Sequence, residues 1–390
     1  MTEVMKRTNH HNTVFYIDPA SMLNLAKYDY YLLQECPMPI HYFCSKYYDF
    51  KTCPSLHYHR VFAYYKLKRN WQKAISYTFA YLLILFNVAR LRPNVVHIQW
   101  FRIPKFDYVM VRIMQRFFGV NVIFTAHNLL PHDTGDRHRA VFTKAYKAFD
   151  SIIVHSQTTK DQLVAEFHIN PEKVKVIRHG ILPFTVSDEK YKECESFYEQ
   201  KYQLKGKLAF SALGFQDHYK GTDLLAKVWA ETPELCNNSN CRLVIVGKVK
   251  SSELDLSMLK GLNNVVFENR KISDEEFLYL LRHTSLYVLP YRNISQSGAL
   301  LTAIAEHIPV LVSDIGALTE PLTIANIGWN MGQPTYENLR KAILYIMGHP
   351  EAIETIKHDE KAWQRLADNY SWKHIGEKTT KLYMSHDYKK

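Results

Sequence analysis

Lys220 and Gly221, in LGFQDHYKG (213–221), and Ser295, Gln296, Ser297 and Gly298, in YRNISQSGALLT (291–302), are residue types with which a protein holds a diphosphate. An ammonium supplies fixed charge, glycine lets backbone N–H groups approach an anion, and seryl hydroxyls add donors. Each loop follows an apolar strand-like run, KLAFSA (207–212) or SLYVLP (285–290), and opens a helical run. Unpaired N–H groups and the positive end of the helix macrodipole point outward at such a junction. A lysine before a helix-opening glycine is also an ordinary surface pattern. The preceding strand and the turn residue Gly214 favour the phosphate reading. Two such loops about eighty residues apart predict one site for a diphosphate.

A third polar cluster follows a strand-like run: His127 and Asn128 in TAHNLLPHD (125–133), with His132 and Asp133 in reach. His127 is the candidate for a residue donating to a sugar hydroxyl or bearing on a reacting carbon. Asn128 stands beside it, and His132 and Asp133 are close enough to join it. The competing reading is a loop histidine satisfied by backbone, in a chain with 19 histidines. His179 and Gly180 in VIRHGI read as a turn or hinge first and as ligand-lining second. The six cysteines form no CxxC pair; Cys44 and Cys53, with His41, His57 and His59 nearby, fit no common zinc spacing. Scattered reduced thiols are the expectation.

The elements that must position these groups alternate along the chain. Strands are expected at 13–17, 40–43, 94–99, 121–126, 151–156 and 173–177, then at 207–212, 242–247, 264–268, 285–290 and 309–313. Helices are expected at 106–119 and 158–168, then at about 221–232, 253–261, 274–283, 297–307 and 336–347. Short Val/Ile-rich strands alternating with helices predict parallel sheets covered on both faces. Two such sets, split by a polar segment near 183–206, predict an α/β chain of two doubly wound domains whose sheets face across a cleft. The charged helical segment 187–203 is either the connector or the first helix of the second domain.

The net charge of +11 is unevenly placed: residues 1–180 hold 24 Lys/Arg against 12 Asp/Glu, and residues 51–100 hold eight against none. The basic half therefore faces an anionic partner. The segment 57–92 mixes basic, aromatic and aliphatic residues at helical spacing, which suits an interfacial membrane helix. Its most apolar part, 74–89, is shorter than the roughly 20 residues that span a bilayer. No nucleic-acid-binding signature is present, so nucleic acid is not an expected partner. The first twelve residues have no apolar stretch of the signal-peptide kind.

Together these residues resemble the two-domain GT-B glycosyltransferases, nearest to glycosyltransferase family 4 (glycosyl transferases group 1). GFQDHYKGTDLL resembles the family's donor-phosphate loop, and LPYRNISQSGALLTAIAEHIPVLVSDIGALTE its donor-binding strand, loop and helix. NYSWKHIGEKTTKLY (369–383) resembles its terminal segment, VVHIQW (95–100) and the His127–Asn128 stretch its first-domain motifs. The resemblance implies a first domain over 1–182 facing acceptor and membrane. It also implies a nucleotide-sugar domain over 183–368 and a final helix, 369–390, packing back on the first. Gly214, Lys220, Gly221, Ser295–Gly298 and Thr302 would bind the donor, with Lys220 and His127 as catalytic candidates and Asn128, His132 and Asp133 as candidates on the acceptor side. The sequence departs from the family in three places. Phe215 stands where an Arg is usual, Ile294 and Thr302 stand at the usual pair of Glu, and Asp18-Pro19-Ala20-Ser21 replace a Gly-rich turn.

The resemblance implies a glycosyltransferase that moves a sugar from a nucleotide diphosphate sugar to a lipid-linked or growing glycan, in polysaccharide or glycoconjugate synthesis. It would be cytoplasmic and peripheral on the inner face of the plasma membrane. No DxD-like acidic pair stands at a strand end, so neither a metal nor a cofactor is expected. An inverting enzyme would need a base, for which Asp18, Asp133 and Asp136 stand open. A non-catalytic relative that binds glycan, lipid or protein, and a nucleotide-sugar epimerase, are the alternatives.

Overall fold

The computed structural model describes residues 13–130, 136–183 and 186–386. His132 and Asp133 lie outside the described residues. The chain divides into two compact units, 1–180 with 370–390, and 181–369.

The first unit is built on seven parallel strands: β1 (Val14–Ile17), β2 (Ile40–Ser45), β3 (Leu56–Phe62), β4 (Val95–Ile98), β5 (Asn121–Thr125), β6 (Ser151–Val154) and β7 (Val174–Val176). They lie in the order β3-β2-β1-β4-β5-β6-β7, so the winding reverses between β1 and β4. β1, β4, β5 and β6 are buried at every position, which is why they read as continuous apolar runs. β3 was not among the expected strands. LHYHRVF is polar on alternate positions because it is the sheet's edge, and it removes 57–62 from the expected helical stretch.

Between β3 and β4 runs the helix Asn70–Leu91, which is 22 residues long. It is longer than its apolar centre, and by length and composition alone it could cross a membrane. One face, with Tyr77, Ala80, Tyr81, Ile84 and Val88, is buried against the sheet. The opposite face leaves Trp71, Ile75, Phe79, Leu82 and Phe86 each more than half exposed. At 100° per residue these five fall within an arc of about 80°.

The last helix, Trp372–Met384, belongs to the first unit. Ser371 caps it, accepting the His374 N–H at 3.2 Å. A Cβ on Gly180 would lie 2.4 Å from the Trp372 indole, so the absent side chain is what lets that ring in.

The second unit has six parallel strands: β8 (Leu208–Leu213), β9 (Cys241–Val246), β10 (Val265–Glu268), β11 (Leu286–Leu289), β12 (Val310–Val312) and β13 (Gly328–Asn330). The order is β10-β9-β8-β11-β12-β13, reversing between β8 and β11. β13 was not expected: three residues opened by a glycine carry no strand pattern. The helix expected at 253–261 is one 3₁₀ turn, Ser257–Leu259; Leu254, Leu256 and Leu259 are buried, but the Ser251 and Asp255 side chains accept the Glu253 and Ser257 N–H groups and close turns instead. The segment left open at 187–203 forms the helix Asp188–Tyr202 and joins this unit. Lys201 bonds Glu276 at 3.2 Å, and the Tyr279 hydroxyl donates to Glu199 at 2.6 Å.

Candidate active site

In open parallel sheets ligands bind beyond the carboxyl ends of the strands, where the winding reverses. In the second unit that point is between β8 and β11, and the two loops singled out above are the exits of those strands.

The β8 exit is braced from within. Gln216 is buried; its amide donates to the carbonyls of Ala212 and Gly214 at 3.0 Å each and accepts from the Thr222 hydroxyl at 2.6 Å. Gly214 turns at φ +84°, and His218–Lys220 form a 3₁₀ turn. Gly221 has φ +67°, and a Cβ there would lie 2.1 Å from the Pro290 carbonyl oxygen. Only glycine lets this loop touch the end of β11.

Arg292 closes the pair. Its guanidinium bonds both carboxylate oxygens of Asp223 at 2.7 Å and the His218 carbonyl at 2.7 Å. Its backbone N–H donates to the Tyr219 carbonyl at 2.7 Å. Bidentate Arg–carboxylate pairs fix direction as well as distance. The two loops therefore form one rigid edge, and the diphosphate candidates are brought together.

Lys220 is mostly buried in that edge, its ammonium 5.9 Å from the centre of the Tyr291 ring. It is in no ion pair among the described residues. Burial pushes its pKa down to about 8; Asp217 opposes this and Lys250 adds to it. A desolvated cation without a counter-charge has most to gain from an anion.

Ser297 caps the helix Gly298–Ala305, accepting the Leu300 N–H at 3.2 Å. A Cβ on Gly298 would meet nothing within 4 Å, so open space lies at the helix start. Ser295 and Gln296 form the approach to it, each half-buried. Thr302 is a turn further on, and its hydroxyl donates to the Gly298 carbonyl at 2.8 Å.

Sequence reasoning missed the clamp. Arg292 and Asp223 sit 69 positions apart, and nothing local marks either as a partner. It also missed Lys250, whose ammonium lies 4.0 Å over the ring of Phe215.

In the first unit the winding reverses between β1 and β4, and Asp18, Gln99 and Trp100 leave that edge, with His127 just beyond the end of the next strand, β5. Both ring nitrogens of His127 are engaged: Nε2 with the Gln99 amide at 2.8 Å, Nδ1 with His155 Nε2 at 3.2 Å. Trp100 stacks flat on it, 4.4 Å between centres and 9° between planes. Burial, then His155, His179 and His97, hold its pKa well below the usual range. A hydrogen bond from His127 to a sugar thus requires Gln99 or His155 to give way. Asn128 follows, half-buried. Of the base candidates, Asp18 is fully buried and accepts the Ala20 N–H at 2.6 Å. Asp136 is exposed and pairs with Arg139 at 2.8 Å. Among the described residues no group of three or more His, Cys, Asp or Glu is arranged to hold a metal ion.

Residues 38–182 match the family described as Glycosyltransferase Family 4, and residues 207–353 match Glycosyl transferases group 1. Together the two matches cover about three quarters of the chain. The chain belongs to the GT-B glycosyltransferases. Solved structures share this GT-B fold. Sucrose-phosphate synthase of Thermosynechococcus elongatus is 14% identical at a TM-score of 0.66, with 96% of this chain and 98% of that one aligned. HepE of Anabaena, solved with UDP, is 12% identical at 0.66, with 96% and 100% aligned. Among curated proteins, the lipopolysaccharide core mannosyltransferase LpcC of Rhizobium leguminosarum bv. viciae is 25% identical over 175 residues. That match takes in 43% of this GT-B chain and about half, 48%, of LpcC.

Proposed function

We propose that this glycosyltransferase moves a sugar from a nucleotide diphosphate sugar to a hydroxyl of a lipid-linked or growing glycan. The observation that carries the reading is the clamped pair of loops at the β8/β11 reversal, with a desolvated Lys220, in no ion pair among the described residues, on the first of them. As the glycosidic bond to the donor breaks, negative charge grows on the departing diphosphate. Lys220 and the N–H groups at the start of Gly298–Ala305 are fixed donors aimed where that charge develops, and fixed donors need no reorganisation. These groups supply the charge that a divalent ion would otherwise bring, so transfer is expected to persist in EDTA. A related fold has been solved with UDP, and a curated relative is a lipopolysaccharide core mannosyltransferase; both support a nucleotide donor and a glycan product.

His127 enters as a positioning residue, holding the Trp100 indole flat at the edge of the first sheet. The acceptor side is anchored at an anionic membrane surface, at the cytoplasmic face. Support comes from the exposed stripe Trp71, Ile75, Phe79, Leu82 and Phe86 and from its flanks, Lys66, Lys68, Arg69, Arg90 and Arg92. None of those five cations is in an ion pair with a described residue. Apolar residues facing the chains and cations at the headgroups are how a helix lies in an interface. The opposite face is committed to the sheet, which favours lying on the membrane over crossing it.

The test is a thermal-shift panel of UDP, GDP, ADP and CMP with their sugar conjugates, on the wild type and Lys220→Ala. A ligand of the folded state raises Tm. A rise with one nucleotide diphosphate, lost in the variant, is expected; no rise with any of them sinks the reading in favour of a non-catalytic relative.

A further inference from the structure

The first unit carries a concavity distinct from the histidine network. Beneath the first turn of Asn70–Leu91 lies a pocket of about 200 Å³, lined by Tyr64, Tyr65, Asn70, Lys73, Arg102 and Ile103 among others. Its place in the fold is the ligand-bearing edge. Tyr64 and Asn70 follow β3, Arg102 and Ile103 follow β4, and the Tyr64 hydroxyl donates at 2.9 Å to the Pro19 carbonyl in the turn after β1.

The pocket offers positive charge that no carboxylate among the described residues pairs with. Neither Lys73 nor Arg102 is in an ion pair among the described residues. The Arg102 guanidinium lies 6.0 Å from the Tyr64 ring centre, which marks it as folded over the pocket. The nearby carboxylate, Asp107, is fully buried and spent, accepting the Tyr77 hydroxyl at 2.7 Å and the Ile103 N–H at 2.6 Å.

Depth decides what such a pocket meets. The exposed apolar stripe and the buried face, from which Lys73 also projects, are on opposite sides of the helix. They are therefore about 10–12 Å apart, one helix diameter. A helix whose apolar face sinks about 5–10 Å into the headgroup boundary holds its other side at the level of the lipid phosphates.

We propose that this pocket seats the phosphate of a lipid-linked acceptor, between Lys73 and Arg102, while the stripe rests on the bilayer. The proposal depends on the reading of the chain as a transferase working at a membrane. The acceptor's phosphate is favoured over a bulk phospholipid headgroup because the pocket lies at the β1/β4 reversal, the ligand-bearing edge of this sheet. A headgroup used only for attachment has no reason to be at that edge.

The test is flotation with phosphatidylcholine vesicles, plain or doped with a polyisoprenyl monophosphate or, at matched charge, with phosphatidylglycerol. The wild type is expected to prefer the polyisoprenyl phosphate at least about fivefold, the scale of one charge-assisted contact. Lys73→Gln with Arg102→Gln should lose that preference and keep a residual affinity for all three vesicles. Phe79→Ser with Leu82→Ser should lose binding to all of them. Equal binding to both anionic vesicles, a preference that survives in the double Gln variant, or no vesicle binding by the wild type would each overturn the proposal. An unchanged thermal shift with the donor nucleotide shows that the Gln variant is folded; if it is not, Lys73→Gln alone takes its place. A wild type without any nucleotide shift but with the vesicle preference would sink the transferase reading, and the pocket would then be a lipid-phosphate site with no acceptor role.

Discussion

Lys250 carries its ammonium 4.0 Å above the ring of Phe215. The two are held together by backbone as well: Gln216 N–H donates to the Lys248 carbonyl, and Lys250 N–H donates to the Gln216 carbonyl, both at 2.9 Å. The exit of β9 thus runs beside the exit of β8, and Lys250 is close enough to Lys220 to depress its pKa. Phe215 occupies the position where the resemblance leads one to expect an arginine. Lys250 is expected to supply that missing charge, parked on the aromatic ring until a diphosphate arrives. An exposed cation over a ring is worth only about 0.5–1 kcal/mol, so leaving it is cheap. Lys250→Ala should weaken nucleotide diphosphate binding by about tenfold, the order of one charged hydrogen bond. Phe215→Arg in that background should restore most of it. Titration calorimetry reads both; an unaltered Lys250→Ala, or no rescue, removes Lys250 from the site.

Lys220 gives a pH dependence with a definite sign. Its pKa in the folded protein is about 8, below the ordinary 10.5. Below pH 8 the ammonium is present in folded and unfolded chains alike, and the folded state carries the full cost of burying it. At 1.36 kcal/mol per unit that cost is roughly 3 kcal/mol. It declines as pH rises from 8 towards 10.5, so Lys220→Met should raise the Tm at pH 7 by several degrees and by less at pH 10. Diphosphate binding needs the charged form, so affinity should fall above pH 8, by up to about tenfold per unit, with net proton uptake. Calorimetry at pH 8.5 in buffers of different ionisation enthalpy measures that uptake. Zero uptake would mean that Lys220 does not meet the phosphate.

The Arg292–Asp223 pair is partly exposed, at 29% and 25%, so its charge alone contributes little. Its geometry matters more, because one guanidinium joins two loops. Arg292→Lys keeps the charge and loses the fork. The expected result is a loss of about 1 kcal/mol or less in stability but a tenfold or larger loss in nucleotide affinity. Asp223→Asn should do the same, and the two together should cost little more than either. Additive effects in that cycle would show that the loops are not coupled through this pair.

Much of this arrangement was legible before the structure. Strands buried on both faces announce themselves as runs such as VVHI and RLVIVG, and their loops carry the polar residues that ligands need. Hence Lys220 and Ser295–Gly298 could be paired from sequence. β3 and β13 were not legible: an edge strand keeps polar residues on one side, and a three-residue strand has no period to read. The 3₁₀ turn at Ser257–Leu259 was misread because three buried leucines imitate a helical face. Contacts between distant positions, such as Arg292 with Asp223 or His97 with Tyr383, leave no local signal.

The histidine network settles its own protons, and that allows a last prediction. His155 Nδ1 faces the Ile177 carbonyl at 2.9 Å and must carry its hydrogen there. In the neutral ring Nε2 is then bare and accepts from His127 Nδ1. Burial keeps His127 neutral, so its Nε2 is also bare, and the Gln99 amide 2.8 Å away must turn its NH₂ group towards it. The other end of the amide, its oxygen, then faces His97 Nε2 at 3.1 Å and the Thr125 hydroxyl at 3.2 Å; His97 Nε2 also bonds that hydroxyl at 2.7 Å, and His97 Nδ1 accepts the Tyr383 hydroxyl at 2.6 Å. Burial keeps all three rings, His155, His127 and His97, in the neutral form. Nitrogen-15 spectra of histidine-labelled protein should show His127 as the Nδ1–H tautomer, unchanged at and below its ordinary pKa. Gln99→Glu replaces the donor with a carboxylate, which favours the charged ring, and should raise the His127 pKa towards its ordinary value. The Trp100 indole, stacked on that ring, should change its fluorescence with the same midpoint. A wild-type His127 that titrates near its ordinary value would show that the ring is open to solvent and free to meet a sugar directly.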